Sequence, residues 1–377
     1  VLEAGVIGAG ASGRNGGQMI PGFNLPQTEL QRLFGSETAT ALWQAVETTR
    51  HGLTERIRQT PGQCDLQTGI VYAAFNQAQL DDAAALADNL KHECGYQHLR
   101  LISQSEIRNS TSPRFIGGIE WSDAHHVNPY KLLLLALAQA QSAGCIIYEN
   151  TPALAVGGES GRYTLTTAQG CVTARDVVIA TGATFSPLRG LGPRHAPSHV
   201  PIATFVLATE PCDAERILPT QAATSDLRNA MSYFRRMPDN RILYGGEVGM
   251  PLVNPTHMLR RLEREMRQTL PGLGDVKIGQ SWAGLIDMTR TTLPSVREVG
   301  AGIYQADGFS GHGLVLSVMA GESIARQILA RMQQQEDPVF KLLARIRPQE
   351  MPSNRGFALV LQGLRWLPKL LQDKRSA

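Results

Sequence analysis

The sequence predicts an α/β fold, and three stretches carry that expectation. The segment from Asn128 to Gly144 has a helical pattern and runs at once into a short apolar stretch, Cys145–Tyr148, the order of elements found in parallel sheets. Asp176-Val-Val-Ile-Ala-Thr-Gly182 is a continuous apolar, β-branched run that stops at a glycine. Gly302–Ala306 reads as a strand, Gly308–Gly313 as a glycine-rich turn and Leu314–Met332 as a long helix.

The remaining elements follow in chain order. Residues 1–24 are glycine-rich and broken by Pro21, which suits a loop after a strand. Helical spacing then runs from Thr28 to Arg58 and stops at Pro61-Gly62. A strand is expected over Asp65–Ala74 and an amphipathic helix over Gln77–Cys94, stopped by Gly95. Residues 103–124 carry no distinct pattern. Asn128-Pro129 is an N-cap with proline at the first helical position, and Cys145–Tyr148 after that helix is expected to be a buried strand. Tyr163–Thr167 and Cys171–Ala174 alternate around Gln169-Gly170, giving a hairpin. Further strands are expected at Ala203–Ala208, Arg241–Tyr244 and Val276–Ile278, with a helix from the Asn254-Pro255 cap to just before Pro271. No internal repeat is present.

A chain of 377 residues and 41.0 kDa exceeds one ordinary hydrophobic core, so two domains are expected. Hydrophobic residues at 42% against 18% charged exclude a disordered chain. The longest apolar run, Leu132–Ala138, is far short of the ~20 residues of a membrane span. Five cysteines, odd in number and without a CxxC, argue against a disulfide framework or structural zinc and for a reducing, cytoplasmic setting. The net charge of +3 is too small to imply nucleic acid, and it is concentrated in the tail. Residues 337–377 carry eight Lys/Arg against three Asp/Glu.

Gly8-Ala-Gly10-Ala-Ser-Gly13 satisfies GxGxxG, the pattern of a dinucleotide turn. Its context does not suit one. Glu3-Ala-Gly5 precedes it instead of an apolar strand, and Arg14-Asn-Gly-Gly-Gln18 with Pro21 and Pro26 beyond makes no helix. A better reading takes Val1–Ala4 as the end of a strand whose Glu3 carboxylate accepts from two ribose hydroxyls.

Glu3-Ala-Gly5 followed by Gly10-Ala-Ser-Gly-Arg-Asn-Gly-Gly-Gln18 resembles the stretch after the second strand in FAD-dependent oxidases of the D-amino-acid-oxidase superfamily, in particular the branch containing γ-glutamylputrescine oxidase and L-pipecolate oxidase. The resemblance implies that Ser12, Gly13, Arg14, Asn15, Gly16, Gly17 and Gln18 pass over the flavin phosphates and ring. Val178–Gly182 is similar to the family's second dinucleotide-side motif, and Ala153, Thr181 and Gly182 are carried with it as cofactor contacts. Trp282-Ala-Gly284, with Asp287 and Thr289 beyond, resembles the W-x-G segment lining the flavin pocket. Gly302–Leu314 resembles the C-terminal flavin motif, in which Gly308, Gly311, His312, Gly313 and Leu314 approach the ring and the following helix aims its positive end at it.

The resemblance further implies a first strand, GxGxxG turn and helix before Glu3, together ~30 residues. This sequence begins at Val1 without them, so an N-terminally truncated member of the family is expected. The implied architecture is a discontinuous FAD-binding Rossmann-like domain (1–60, 125–200 and 280–335), a substrate domain on a mixed or antiparallel sheet (61–124 and 201–279) and a basic tail (336–377). The implied activity is oxidation of a C–N bond in a small amine or amino acid, with non-covalent FAD taking the hydride and O2 or another acceptor taking the electrons. A γ-glutamylputrescine-like or cyclic amine is the preferred substrate. His312, Trp282 and Arg290 are the candidates for catalytic contact, Arg290 through a substrate carboxylate.

Plainer assignments stand beside these. Adjacent His125 and His126 face opposite ways on a strand and cannot share a metal, so no metal is expected. Tyr233 and Phe234 either roof the substrate cavity or, the favoured reading, pack in the core. Two rival functions remain: a non-catalytic remnant without flavin, and a membrane-surface dehydrogenase that feeds a quinone through the basic, leucine-rich tail. A tail docked on the FAD domain is favoured over membrane contact.

Overall fold

The computed structural model describes residues 1–60, 62, 64–184, 189–190, 199–228, 230–249 and 254–346. The expectations for the tail beyond Ile346 lie outside the described residues.

A nine-stranded sheet dominates the fold. Its order is Gln18–Met19, Gly117–His126, Gln67–Ala74, Ala223–Asp226, Tyr233–Arg236, Ile242–Gly249, His199–Thr209 and Ile278–Thr289, with Leu99–Ile102 also paired to Gly117–His126. Every pairing is antiparallel except that of Ala223–Asp226 with Gln67–Ala74. Alternation along these strands sends Val71, Phe205, Leu207, Phe234 and Tyr244 to one face, where they meet Met258, Leu262 and Met266 of the helix Pro255–Thr269. The other face looks toward the first 24 residues.

A second, three-stranded sheet joins Ser295–Gly300, Ile303–Asp307 and Val177–Ile179, the last two parallel. Residues 155–174 form a third sheet of three short strands. The largest core cluster packs helix Ser36–Arg58, through Leu42, Val46 and Leu53, on helix Gly313–Met332, through Val315, Leu316, Met319 and Ile324. Gly313–Met332 has the length and hydropathy of a membrane span, but one face of it is this core.

Several expectations need correction. The helix expected over Thr28–Arg58 is two helices, Gln27–Phe34 and Ser36–Arg58, parted at Gly35, whose φ of +82° no helix contains. Cys145–Tyr148 is not a buried strand: only Tyr148 bridges, to Leu2 in parallel, and Ile146 is 65% exposed. The hydrophobic run meets no covering layer, and apolar composition without a partner surface cannot bury itself. Residues 103–124 contain a helix, Gln104–Ser110, and most of the long strand Gly117–His126. The short strand foreseen at Ala203–Ala208 is part of a longer one, His199–Thr209, and the one foreseen at Val276–Ile278 instead begins at Ile278 and runs to Thr289, the two forming a long antiparallel pair. A single helical turn, Ala11–Arg14, forms where none was expected, and it ends at Asn15.

Candidate active site

The glycine-rich segment is fastened residue by residue. Asn15 Nδ2 donates to the Ala11 and Ser12 carbonyls while its Oδ1 accepts the Gly17 amide, which closes the helical turn and turns the chain outward. Gly17 then adopts φ +80°, and a Cβ there would lie 1.9 Å from the Val127 oxygen, so no other residue fits. The Val127 amide donates to the Gly17 carbonyl at 2.8 Å. Arg14 and Trp282 clasp the helical turn to the strand Ile278–Thr289: Arg14 Nη1 donates to Ala283 O and Trp282 Nε1 donates to Arg14 O, each at 2.9 Å.

The large sheet presents a lateral row to this segment. Tyr72, Ser225, Tyr233, Gly245, Val206 and Trp282 lie directly opposite one another on neighbouring strands and so share a face. Ser225 Oγ donates to Gln18 Oε1 at 3.0 Å, the Tyr233 ring lies against Gly16 and across Gly245, and its hydroxyl pairs with Thr204. Phe234 points the other way, stacked between Phe115 and Tyr244.

Residues 308–313 form a tight loop from the strand Ile303–Asp307 into the helix Gly313–Met332. Gly308, Ser310 and Gly311 all have positive φ. Asp287 organises the loop: its Oδ2 accepts the Gly308 amide at 2.7 Å and its carbonyl accepts the Ser310 amide. Burial raises the Asp287 carboxyl, with His199 and the loop amides pulling the other way. Beneath the loop, His199 Nδ1 and Asp307 Oδ2 are 3.5 Å apart and both side chains are buried. Asn24 Nδ2 donates to Ser310 O and His312 Nε2 lies 3.2 Å from Gly22 O, so the C-terminal loop is tied to residues 22–24. Burial pushes the His312 imidazole down to about 4, against the Gly22 and Ile20 carbonyls. A neutral ring that donates to a backbone carbonyl acts as a fastener between two loops.

The other candidates are more dispersed. Glu3 is half-buried beside the Leu2–Tyr148 bridge and its Oε1 accepts the Gly5 amide. Thr181 and Gly182 follow the strand Val177–Ile179 and open a short 3-10 turn, while Ala153 lies in the irregular stretch before Ala155–Glu159. Arg290 is exposed in the turn after Thr289, a solvent position that gives a substrate carboxylate no enclosure. His125 and His126 are buried in the strand Gly117–His126, one beside Arg58 and the other against the Gln221 carbonyl. The sequence did not point to Arg235, Ser225, Tyr72 or Thr204; only the register of strands distant in sequence puts them on this face.

The residues present fit a flavin nucleotide. Cβ atoms built on Gly284 and Gly311 meet nothing nearer than Arg14 Cβ at 3.7 Å and Ile286 Cδ1 at 3.6 Å, leaving room beside both. The helix Gly313–Met332 starts without a side-chain cap, so its amides and positive end are free for negative charge. Among the described residues, Ile303–Met332 is a strand, glycine loop and long helix in that order, whereas Gly8–Gly13 opens a helix of only 4 residues.

Comparison with known proteins defines the class. Residues 1–327 match the family described as FAD dependent oxidoreductase, abbreviated DAO, and the chain belongs to that family. It is therefore an FAD-dependent oxidoreductase acting on amines or amino acids. The chain is 30% identical to the probable oxidoreductase OrdL of Haemophilus influenzae, over 87% of this chain and 77% of that protein. It is 29% identical to γ-glutamylputrescine oxidoreductase of Escherichia coli, over 86% and 76%. The solved structure of glycine oxidase from Geobacillus kaustophilus shares the fold at a TM-score of 0.71 and 19% identity, over 89% of this chain and 88% of that one.

Proposed function

We propose that the protein oxidises the C–N bond of a small amine of the γ-glutamylputrescine-like or cyclic kind. The observation that carries this reading is the row of hydroxyls on the large sheet, Tyr72, Ser225 and Tyr233 with Thr204 beside them, facing the glycine-rich segment. Such a face offers neutral donors and acceptors, which suit a polar amine held in its uncharged form. Burial pushes the Tyr233 phenol up to about 12 and raises that of Tyr72, so both remain protonated donors. The same low-dielectric surroundings favour the neutral amine, the form from which hydride can leave. The similarity to the E. coli γ-glutamylputrescine oxidoreductase supports the same substrate class.

Glu3, the segment Ser12–Gln18, Thr181–Gly182 and the loop Gly308–Gly313 would hold FAD non-covalently. Bound there, FAD supplies an acceptor for the hydride on the carbon beside nitrogen, and the imine product hydrolyses in water. Trp282 and Arg14 keep the segment against the sheet, and Asp287 keeps the C-terminal loop in register. The neutral His312 ring orients backbone and moves no proton. The five free cysteines support a reducing, cytoplasmic setting. Incubation of the FAD-supplemented protein with γ-glutamylputrescine, putrescine, pipecolate, sarcosine and glycine, followed by oxygen uptake and dye reduction, tests the proposal. Turnover of the first two or of the cyclic amine is expected; turnover confined to glycine and sarcosine would overturn it.

A further inference from the structure

Arg235 is an anomaly of charge. Its side chain is 3% exposed, yet among the described residues no carboxylate forms an ion pair with it. Its donors go to backbone carbonyls: Nε to Gly16 O at 2.9 Å, Nη2 to Val127 O at 3.0 Å and Nη1 to Arg236 O at 3.4 Å. Burying a guanidinium this way is expensive, and burial pulls it down to about 10, with Asp65, Tyr233 and Asp239 opposing. An apolar side chain of similar volume would fill the site without that cost, so the arginine is kept for what its fork holds.

The fork joins two strands of chain that already hold each other. Val127 donates its amide to Gly17 O and accepts from Arg235, while Gly16 accepts from the same guanidinium and packs under the Tyr233 ring. The Gly16–Gly17 turn therefore has three attachments, the Arg235 bond to Gly16 O, the Val127 amide to Gly17 O and the Tyr233 ring, and Arg235 also holds Val127, the donor of the second. The donors of a guanidinium sit on separate nitrogens in a rigid plane and reach the two carbonyls at a fixed spacing, whereas an ammonium offers its three donors from one nitrogen on a flexible stem.

We infer that Arg235 is a positioning residue: it fixes the Gly16–Gly17 turn to the substrate sheet and so sets where the segment that passes over the flavin lies relative to the face that receives the amine. The role at the flavin rests on the functional reading above, whereas the clamp itself rests on the geometry alone.

The test uses the full chain, first without flavin. Hydrogen exchange is followed for peptides covering 15–19 and 125–127 in the parent, Arg235→Met and Arg235→Lys, with Arg236→Met as the control. Arg236 is the neighbouring cation on the same strand, bonded to the Pro219 and Thr220 carbonyls instead. Exchange at Gly17 and Val127 should quicken at least tenfold in Arg235→Met, less in Arg235→Lys and not at all in Arg236→Met, with residues 203–208 unchanged in all. Unchanged protection of 15–19 in Arg235→Met, or a loss spread evenly through the sheet as a merely structural role would give, overturns the inference. If Arg235→Met aggregates, the lysine variant carries the same readout. FAD titration by fluorescence then asks whether the dissociation constant rises in step. A parent chain that binds no FAD would sink the flavin reading and leave the exchange result to decide the clamp.

Discussion

Two helices of this molecule invert the usual relation between composition and burial. Pro129–Ser142 contains Leu132, Leu133, Leu134, Leu135 and Leu137, and none of its residues is buried. Pro255–Thr269 carries four arginines and two glutamates, and it buries Met258, Leu262, Met266 and Thr269. The difference lies in what each faces. The second helix lays a narrow stripe on a finished sheet whose inner face is already apolar. The first touches the short turn Ala11–Arg14 and lends Leu132 and Leu135 to the edge of a core, while Ile146, Tyr148 and Val178, all at least 49% exposed, belong to short parallel pairings rather than to a wide sheet. Burial is a property of matched surfaces, and a leucine count measures only one of the two.

The contrast can be broken from either side. The largest effect should come from the sheet: Phe234→Ala removes a ring stacked on both Phe115 and Tyr244 and should cost about 3–5 kcal/mol in urea unfolding. A loss below 1 kcal/mol would mean that this face is not the closed core described.

Acid should loosen the same sheet. Burial pushes His125 and His126 down to about 4, with Arg58 and Arg50 beside the first and Arg235 beside the second, while Asp123 opposes. Below the ordinary histidine range the unfolded chain takes protons that the folded strand refuses. Stability is therefore whole above pH ~6.5 and falls as pH drops toward ~4, by up to about 3 kcal/mol per histidine. Amide exchange at pH 5 should rise in Gly117–His126, and His125→Gln with His126→Gln should flatten the pH dependence; an unchanged acid limb would exclude these two residues as its source.

The smallest effect belongs to the uncovered helix. Leu134→Gln should change unfolding free energy by no more than about 0.5 kcal/mol and should lower binding of a hydrophobic dye. A cost near that of Phe234→Ala would show that the helix is covered in solution.

How much could be read from the sequence follows the same division. Helix ends were legible because they are written locally: Asn128 accepts from the Tyr130 and Lys131 amides ahead of Pro129, and Gly95 takes the left-handed turn that ends Gln77–Cys94. The loop at Gly308–Gly313 was legible because strand, glycines and helix are consecutive. The extent of His199–Thr209 and Ile278–Thr289 was not, since each strand is lengthened by pairing with the other. Nor was Arg235, whose partners Gly16 and Val127 lie 219 and 108 residues away. The failure at Cys145–Tyr148 has the opposite cause: a strong local pattern with little to pair against.

The clasp between Arg14 and the strand Ile278–Thr289 has a consequence for synthesis. Arg14 meets Ala283 across 269 residues, Asn24 meets Ser310 across 286, and Gly22 meets His312 across 290. The ribosome thus releases the first part of the flavin segment long before the last part exists, and the entropy of closing so long a loop must be met by contacts made only at the end. A nascent chain halted before residue 308 has the glycine-rich segment and its attachments to the large sheet, but lacks the Gly308–Gly313 loop and the helix that follows. Cofactor capture is thereby deferred to nearly complete polypeptides, and prematurely ended chains are left without the means to hold the nucleotide.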